Sequence, residues 1–465
     1  MSNAASEGKR DFSLYFDRRM LRILMLGIIS GFPWVLIGTA LTLWLKEDGL
    51  SRSTIGWAGL IFGVYAVNWM WAPLVDRIRI PVLTNLIGHR KSWILSMQLL
   101  ILLSLIIWSV VNPVDNLKMV IFIGLIIAIS SATQDITIDA LRIEQIDEHE
   151  SASMAAGAAV AVAGWWSGYK LGGMIALFAA DYFQAQGFDN YWQMAFIFLC
   201  GLIVLFNIAL LMIPEASSVE RQQRQLEDQQ RLSSGAVSLP SVASWFVSTV
   251  LSPMTSFFRK NGLSIGIAIL SFIFLFKIGE AFMGKMSVVF YKELGFTKSQ
   301  IAIYSKTLGW ITTVVFTLVG GWFAMKAGSL KALFWAGVAM AATNIMFSVL
   351  AWSGKSEALF ALAVVMDDIA AAFATVAFVA FISRLVDRTY TATQYALLAS
   401  IGTLGRTLLA SSSGALVDGL DGDWGLFFII TAIMVIPSLI LLWFLKDKIN
   451  FVAKKDEPAN VVAET

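Results

Sequence analysis

Along most of this chain apolar residues run on without the polar interruptions that mark an amphipathic helix or an alternating strand. Runs of about 20 such residues, the length an α-helix needs to cross a hydrocarbon core, occupy 20–45, 53–76, 92–111, 117–140, 152–180 and 191–213. Six more occupy 262–291, 299–325, 330–352, 357–384, 390–417 and 424–445. Each predicts a membrane-spanning helix. The first follows a polar, charged stretch, carries Pro33 and is too long for a signal-peptide core, so it is expected to stay in place as the first span. The expected fold class is an all-α membrane protein of twelve spans in two six-helix bundles. Its divisions are a segment 1–19, a first bundle 20–213, a linker 214–261, a second bundle 262–445 and a tail 446–465.

Within the linker, Glu220 to Arg231 is rich in Gln and charge and reads as a solvated stretch or loose helix. Further on, Val247, Leu251, Met254 and Phe258 recur at helical spacing, with Trp245, Phe257, Arg259 and Lys260 alongside. That pattern suits an amphipathic helix lying on the membrane face, or a simple lead-in to the seventh span.

Composition agrees with lipid as the solvent. The chain is 57% hydrophobic and 14% charged, where soluble domains are roughly 45–50% apolar and about 25% charged. A net charge of +2 excludes the basic surface of a nucleic-acid binder. Cys200 is the only cysteine, and the two histidines, His89 and His149, lie in polar segments. Disulfide frameworks and Cys- or His-based metal centres are therefore not expected, and neither is any cofactor or obligate protein partner. Lys and Arg crowd alternate connections, with 23 in one set (the N-terminus, 77–91, the linker and the tail among them) against 6 in the other. By the positive-inside rule both termini are expected in the cytoplasm.

An internal repeat links the halves. WLKEDGLSRSTIG from Trp44 and FYKELGFTKSQIA from Phe290 align at one constant offset, matching Lys46/Lys292, Glu47/Glu293, Gly49/Gly295, Arg52/Lys298, Ser53/Ser299 and Ile55/Ile301. Two six-helix units in the same orientation imply a site between them and alternating access.

Asp76-Arg77 followed by Gly88-His89-Arg90-Lys91 between the second and third spans resembles the major facilitator superfamily, with a longer insertion, Ile78 to Ile87. A narrower resemblance rests on SATQDITIDALRIEQ (Ser131–Gln145), TATQYALLASIGTLGRTLLASSSGALVD (Thr391–Asp418), WAPLVDR (Trp71–Arg77) and LGFTKSQIA (Leu294–Ala302). These are similar to the AmpG-type muropeptide permeases and touch both halves of the chain. The resemblance implies a major facilitator fold with helices 1, 4, 7 and 10 around a central cavity. It implies an inner-membrane importer of N-acetylglucosaminyl-anhydromuramyl peptides, coupled to protons, serving cell-wall recycling. The wider family includes acetyl-CoA transporters, so another bulky anion such as an acyl-CoA stays open as substrate. Where the permeases tend to have Glu-Asn at the start of helix 10, this chain has Asp367-Asp368.

Ionisable groups inside spans are costly and usually face a wet cavity or a partner. Asp135 lies deep in span 4 beside Gln134, with no basic residue one turn away, and is the first candidate for proton coupling. Glu280, Asp367 and Asp368 are the alternatives. Asp139 shares the face of Asp135 four residues on, three residues from Arg142, and reads as an end-of-helix ion pair or gate. Asp76, Arg77 and Arg90 are gating candidates with it. Lys170 and Arg406, near the middles of spans 5 and 11, would suit an anionic substrate or pair with the buried carboxylates. Lys277 is a further candidate for binding, or a neutralising partner of Glu280 three residues on. Lys285 and Lys306 lie nearer the external mouth, attracting anions or, for Lys306, snorkelling to the headgroups. Tyr65, Asn68, Trp165, Trp166, Tyr169 and Gln134 are candidates for sugar stacking or hydrogen bonding, against ordinary packing. Gly164, Gly168 and Gly172 form a small-residue stripe for close helix contact.

One motif is set aside. Gly279 to Lys285 reads GEAFMGK, a P-loop pattern with Met286 where Ser or Thr is needed. Inside a helix its N–H groups are already used. No nucleophile–base or metal constellation supports an intramembrane enzyme, and no soluble signalling domain supports a receptor.

Overall fold

The computed structural model describes residues 12–50, 58–215, 223–227, 230, 252–296, 300, 304, 309–410 and 412–449. Among these residues there are helices and turns but no strands. The long helices are α1 (Arg18–Glu47), α3 (His89–Trp108), α4 (Leu117–Glu144), α5 (Ser151–Ala185) and α6 (Tyr191–Met212) in the first half. The second half has α7 (Leu263–Tyr291), α8 (Gly309–Ala327), α9 (Ser329–Ser353), α10 (Glu357–Leu385), α11 (Thr391–Ala410) and α12 (Trp424–Leu445). Nine helices among the described residues are long and apolar enough to cross a membrane.

The second run, expected to be continuous, is instead broken. Its described part, α2 (59–77), is a chain of short turns, with Gly59–Gly63 and Asn68–Met70 in 3-10 geometry. An α-helical piece, Ala72–Arg77, then starts on Pro73 in its first turn. Gly63 resists helix on entropic grounds, and Pro73 has no N–H to continue the preceding turn. Proline acts again in α1, where the turn after Pro33 loosens to π-helix over Val35–Ala40. α7 breaks at Phe276 and Lys277, between helical pieces Leu263–Leu275 and Ile278–Glu293.

Pairings recur between the halves. α1 lies along α5 and α7 along α11; α3 packs on α4 and α6, as α9 packs on α10 and α12. The predicted glycine stripe is where α1 and α5 touch: a Cβ on Gly168 would lie 2.2 Å from the Ile28 carbonyl oxygen. At the matching place on α11, a Cβ on Gly405 would lie 2.3 Å from the Phe274 carbonyl oxygen. The repeated loop is built alike as well. Glu47 accepts the Trp192 indole N–H at 2.6 Å and the Tyr191 hydroxyl at 2.8 Å, and Glu293 accepts the Trp424 indole N–H at 2.7 Å. Trp44 meets Phe196 at 4.9 Å and Phe290 meets Phe428 at 4.8 Å, both edge to face. Gly49 and Gly295 then turn the chain at φ +83° and +89°.

Gly168→Ala tests the α1–α5 contact. Backbone on both sides leaves nothing flexible to give, so overpacking is expected to destabilise by about 1–3 kcal/mol. A fall in the melting temperature of the purified protein would register it; an unchanged melting temperature would contradict the contact.

Across the halves, α5 packs on α8 and α10, and α11 packs on α2 and α4. The linker helix Ser252–Asn261 packs on α7 and α11. It buries Pro253, Phe257 and Asn261, while Gln394 donates to the Pro253 carbonyl at 2.8 Å and the Ser256 hydroxyl at 2.7 Å. The helix is thus docked on protein, because its carbonyl and hydroxyl partners lie on α11. Val247, Leu251 and Trp245 lie outside the described residues. Gln225, expected in a solvated stretch, is buried and donates to the Thr389 carbonyl at 2.9 Å.

Candidate functional site

At the end of the bundle that carries the basic connections, polar side chains tie the two halves together. Asp76, at the end of α2, accepts the backbone N–H of Ala392 at 3.2 Å and that of Thr393 at 2.8 Å, and the Thr393 hydroxyl at 2.6 Å. Those N–H groups have no partner inside their own helix, and the helix dipole favours an anion there. The same carboxylate meets Arg90 at 2.7 Å, and Arg90 reaches Glu144 at 2.7 Å, with the guanidinium fully buried. Glu215 accepts the backbone N–H groups of Arg90 and Lys91 at 2.6 and 3.1 Å. Burial pushes the Glu215 carboxyl above its ordinary value. Arg77, next along α2, is half-buried.

Asp139 and Arg142 pair at 2.9 Å, as their spacing predicts. Arg142 continues to the Ser383 hydroxyl at 3.1 Å and lies 5.7 Å from the Tyr395 ring, so the pair spans α4, α10 and α11. Arg388 donates to the carbonyls of Ile143 and Ile146 at the end of α4. Asn68 accepts from Ser400 at 3.2 Å and is buried between α2 and α11, which makes it a cross-link in this conformation.

Midway along the bundle the first half presents an aromatic wall. Trp34 meets Tyr65 at 4.5 Å and Trp165 at 5.4 Å; Trp165 in turn meets Trp166 at 5.2 Å and Tyr169 at 5.6 Å. Lys170 lies 5.8 Å from the Trp166 ring and 5.4 Å from that of Tyr169. Asp135 lies behind this wall, accepting the Ser30 hydroxyl at 2.6 Å. No Lys or Arg forms an ion pair with it among the described residues. Tyr65 donates to Ser131 at 2.8 Å, one turn from Asp135. Gln134 is fully buried and donates to the Ile29 carbonyl at 2.9 Å, so its amide N–H is turned toward α1.

The second half presents acid. A cavity of ≈ 280 Å³ is lined by Trp166 of α5, Glu280 of α7, Thr313 and Thr317 of α8, and Asp367, Asp368 and Thr375 of α10. Lys277 sits where α7 breaks, 3.0 Å from Glu280 and 2.8 Å from the Thr375 hydroxyl. Asp367 accepts from Thr343 at 3.1 Å. Arg406 is half-buried on α11, close enough to Lys277 to interact electrostatically. This cavity differs from the expected lining by helices 1, 4, 7 and 10. α5 and α8 complete it, while α1 and α4 hold Asp135 behind the aromatic wall. The Lys285 side chain and Lys306 lie outside the described residues.

Sequence reasoning missed Trp34, which follows Pro33 at the kink of α1, and Ser30 one turn before it. It also missed Glu144, Glu215, Ser383, Tyr395 and Thr317.

The comparisons with known proteins bear on this arrangement. The Major Facilitator Superfamily model matches residues 23–408 and again 282–463. A Rickettsia conorii protein bearing the transporter name AmpG 4 is 34% identical over 437 residues, covering 94% of this chain and 99% of its own. The chain belongs to the Major Facilitator Superfamily, in its AmpG branch. The anhydromuropeptide permease of Escherichia coli K12 is 28% identical over 445 residues, covering 95% of this AmpG-type chain and 83% of the permease. In fold, it is similar to the proton:xylose symporter XylE bound to 6-bromo-6-deoxy-D-glucose. The TM-score is 0.64 at 14% identity, over 93% of this chain and 96% of that one. This AmpG-type protein is therefore an integral, multi-pass membrane protein built for transport, as the family implies.

Proposed function

We propose that the protein imports anhydromuropeptides, bulky saccharide-peptides carrying carboxylates, and that protons enter with them. The reading is supported by its relative, the E. coli anhydromuropeptide permease. The observation that carries it is the joining of an aromatic wall, Trp34 with Tyr65, Trp165, Trp166 and Tyr169, to a half-buried carboxylate, Asp135, held by a hydroxyl rather than a cation. Aromatic faces suit sugar rings. Lys170, on the same wall, and Arg406 on α11 suit the substrate's carboxylates.

In this reading the basic end faces the cytoplasm, in line with the positive-inside rule. The Asp76–Arg90–Glu144 and Asp139–Arg142–Ser383 connections then form the closed inner gate, and the cavity is reached from outside. An anion entering a negative interior works against about 2.3 kcal/mol per charge per 100 mV. Protons must enter in at least compensating number, and Asp135, with Asp367 as its counterpart on α10, carries them.

The test is uptake of labelled anhydromuropeptide into proteoliposomes under an inward proton gradient, with unlabelled compound as competitor. Lys170→Gln removes the charge on the wall and is expected to raise KM about tenfold while the protein stays folded in the membrane. No uptake by the wild type would refute the reading. Loss of folded protein in Lys170→Gln, with no kinetic effect in what remains, would make Lys170 structural.

A further inference from the structure

The charged groups lining the cavity of the second half are all acidic: Glu280, Asp367 and Asp368. Lys277, at the α7 break behind them, is committed to Glu280 at 3.0 Å and offsets one of the three. An anion alone would meet the wrong sign here. A cavity of ≈ 280 Å³ is far larger than a proton relay needs, since about 10–15 Å³ of such volume holds a water molecule. It does not resemble a metal site either, because among the described residues no three His, Cys, Asp or Glu side chains converge as ligands. Thr317 supplies a second, independent sign of a ligand. It lines the cavity and is 0% exposed, yet its hydroxyl has no hydrogen-bond partner among the described residues. A buried polar atom in that state is costly unless something reaches it.

We infer that this cavity receives a cationic amine of the transported molecule, so that the substrate is zwitterionic rather than simply anionic. An ammonium group brings three donors and no acceptor, and Asp367, Asp368 and the Thr317 hydroxyl present acceptors on two facing helices, α10 and α8. The Trp166 ring closes the cavity on the first-half side, and cations favour an aromatic face. Lys170, above that same ring at 5.8 Å, then marks where the anionic part of the molecule begins. Trp166 thus adjoins both signs of charge, the carboxylates of the cavity it lines and the Lys170 ammonium near its ring.

The inference rests on the transport reading above, and its test separates the two. Uptake is measured in proteoliposomes for two labelled anhydromuropeptides, one ending in a free side-chain amine and one with that amine acetylated. The wild type is expected to take up both, with KM about tenfold lower for the free amine. Asp368→Asn is expected to bring the ratio of the two KM values near one. Thr317→Val, which keeps the shape and removes only the hydroxyl, is expected to reduce the ratio severalfold. Equal KM values for the two compounds in the wild type would overturn the amine site while leaving transport standing. A ratio unchanged in both variants would overturn it as well. Uptake of neither compound would overturn the transport reading and this inference with it.

Discussion

Asp135→Asn is expected to abolish gradient-driven accumulation of labelled anhydromuropeptide while exchange of internal for external substrate continues. The asparagine keeps the size of the side chain and still accepts the Ser30 hydroxyl, which approaches Asp135 at 2.6 Å. It cannot bind and release a proton. A gradient of one pH unit is worth about 1.4 kcal/mol per proton, enough for about tenfold accumulation. Loss of one coupled proton therefore removes about that factor per pH unit imposed. Ser30, Trp34, Tyr65 and Asp139 are the polar and titratable groups that face or adjoin Asp135 on the elements packed around it. Normal accumulation by the variant under a pH gradient would exclude Asp135 and move coupling to Asp367 or Glu280.

Asp76→Ala is expected to open the basic end of the bundle. The substitution removes the acceptor for two N–H groups at the start of α11 and one of the two carboxylates that neutralise Arg90. Breaking a buried pair costs about 3–5 kcal/mol when the remaining charge has no other partner. Glu144 still holds Arg90, so the effect is expected toward the lower end. A bias of about 3 kcal/mol moves a two-state equilibrium more than a hundredfold. Spin labels at the exposed positions Val82 and Lys331, in a Cys200→Ser background, would report it as a longer distance between the halves. Asp76→Asn should give part of the change, because its amide oxygen can still accept from Thr393. Unchanged distances in folded Asp76→Ala protein would remove this contact from the gate.

Much of the architecture could be read from the chain because lipid leaves so little choice. A segment crossing it must be helical and apolar throughout, so spans 3, 4, 6 and 10 lie close to their expected bounds. The repeat was legible for a similar reason: Glu47 and Glu293 occupy one position in two copies, and both copies place an indole N–H on the carboxylate. Local pairs were legible too. Lys277 with Glu280 and Asp139 with Arg142 follow from three-residue spacing on a helix.

What could not be read lies in contacts between distant segments. Nothing near Asp76 in the chain announces that it caps α11, 317 residues away. Thr317 looked like an ordinary helix residue, since a threonine hydroxyl in a span commonly bonds to its own helix and then carries no signal. In the linker helix Met254 and Phe258 satisfy the apolar spacing and are half-buried. Pro253, Phe257 and Asn261 are buried, and Gln394 of α11 holds the helix through hydrogen bonds no local pattern announces. Gln134 attracted attention as a polar group beside Asp135, yet neighbours on a helix point about 100° apart, and Gln134 turns inward to Ile29.

The most direct test of proton-coupled import needs no imposed gradient. Proteoliposomes filled with a pH-sensitive dye receive anhydromuropeptide outside, with the membrane potential clamped at zero. The account predicts that the interior acidifies as substrate enters, and that Asp135→Asn protein gives no acidification. Substrate entry by the wild type with no change in internal pH would contradict it.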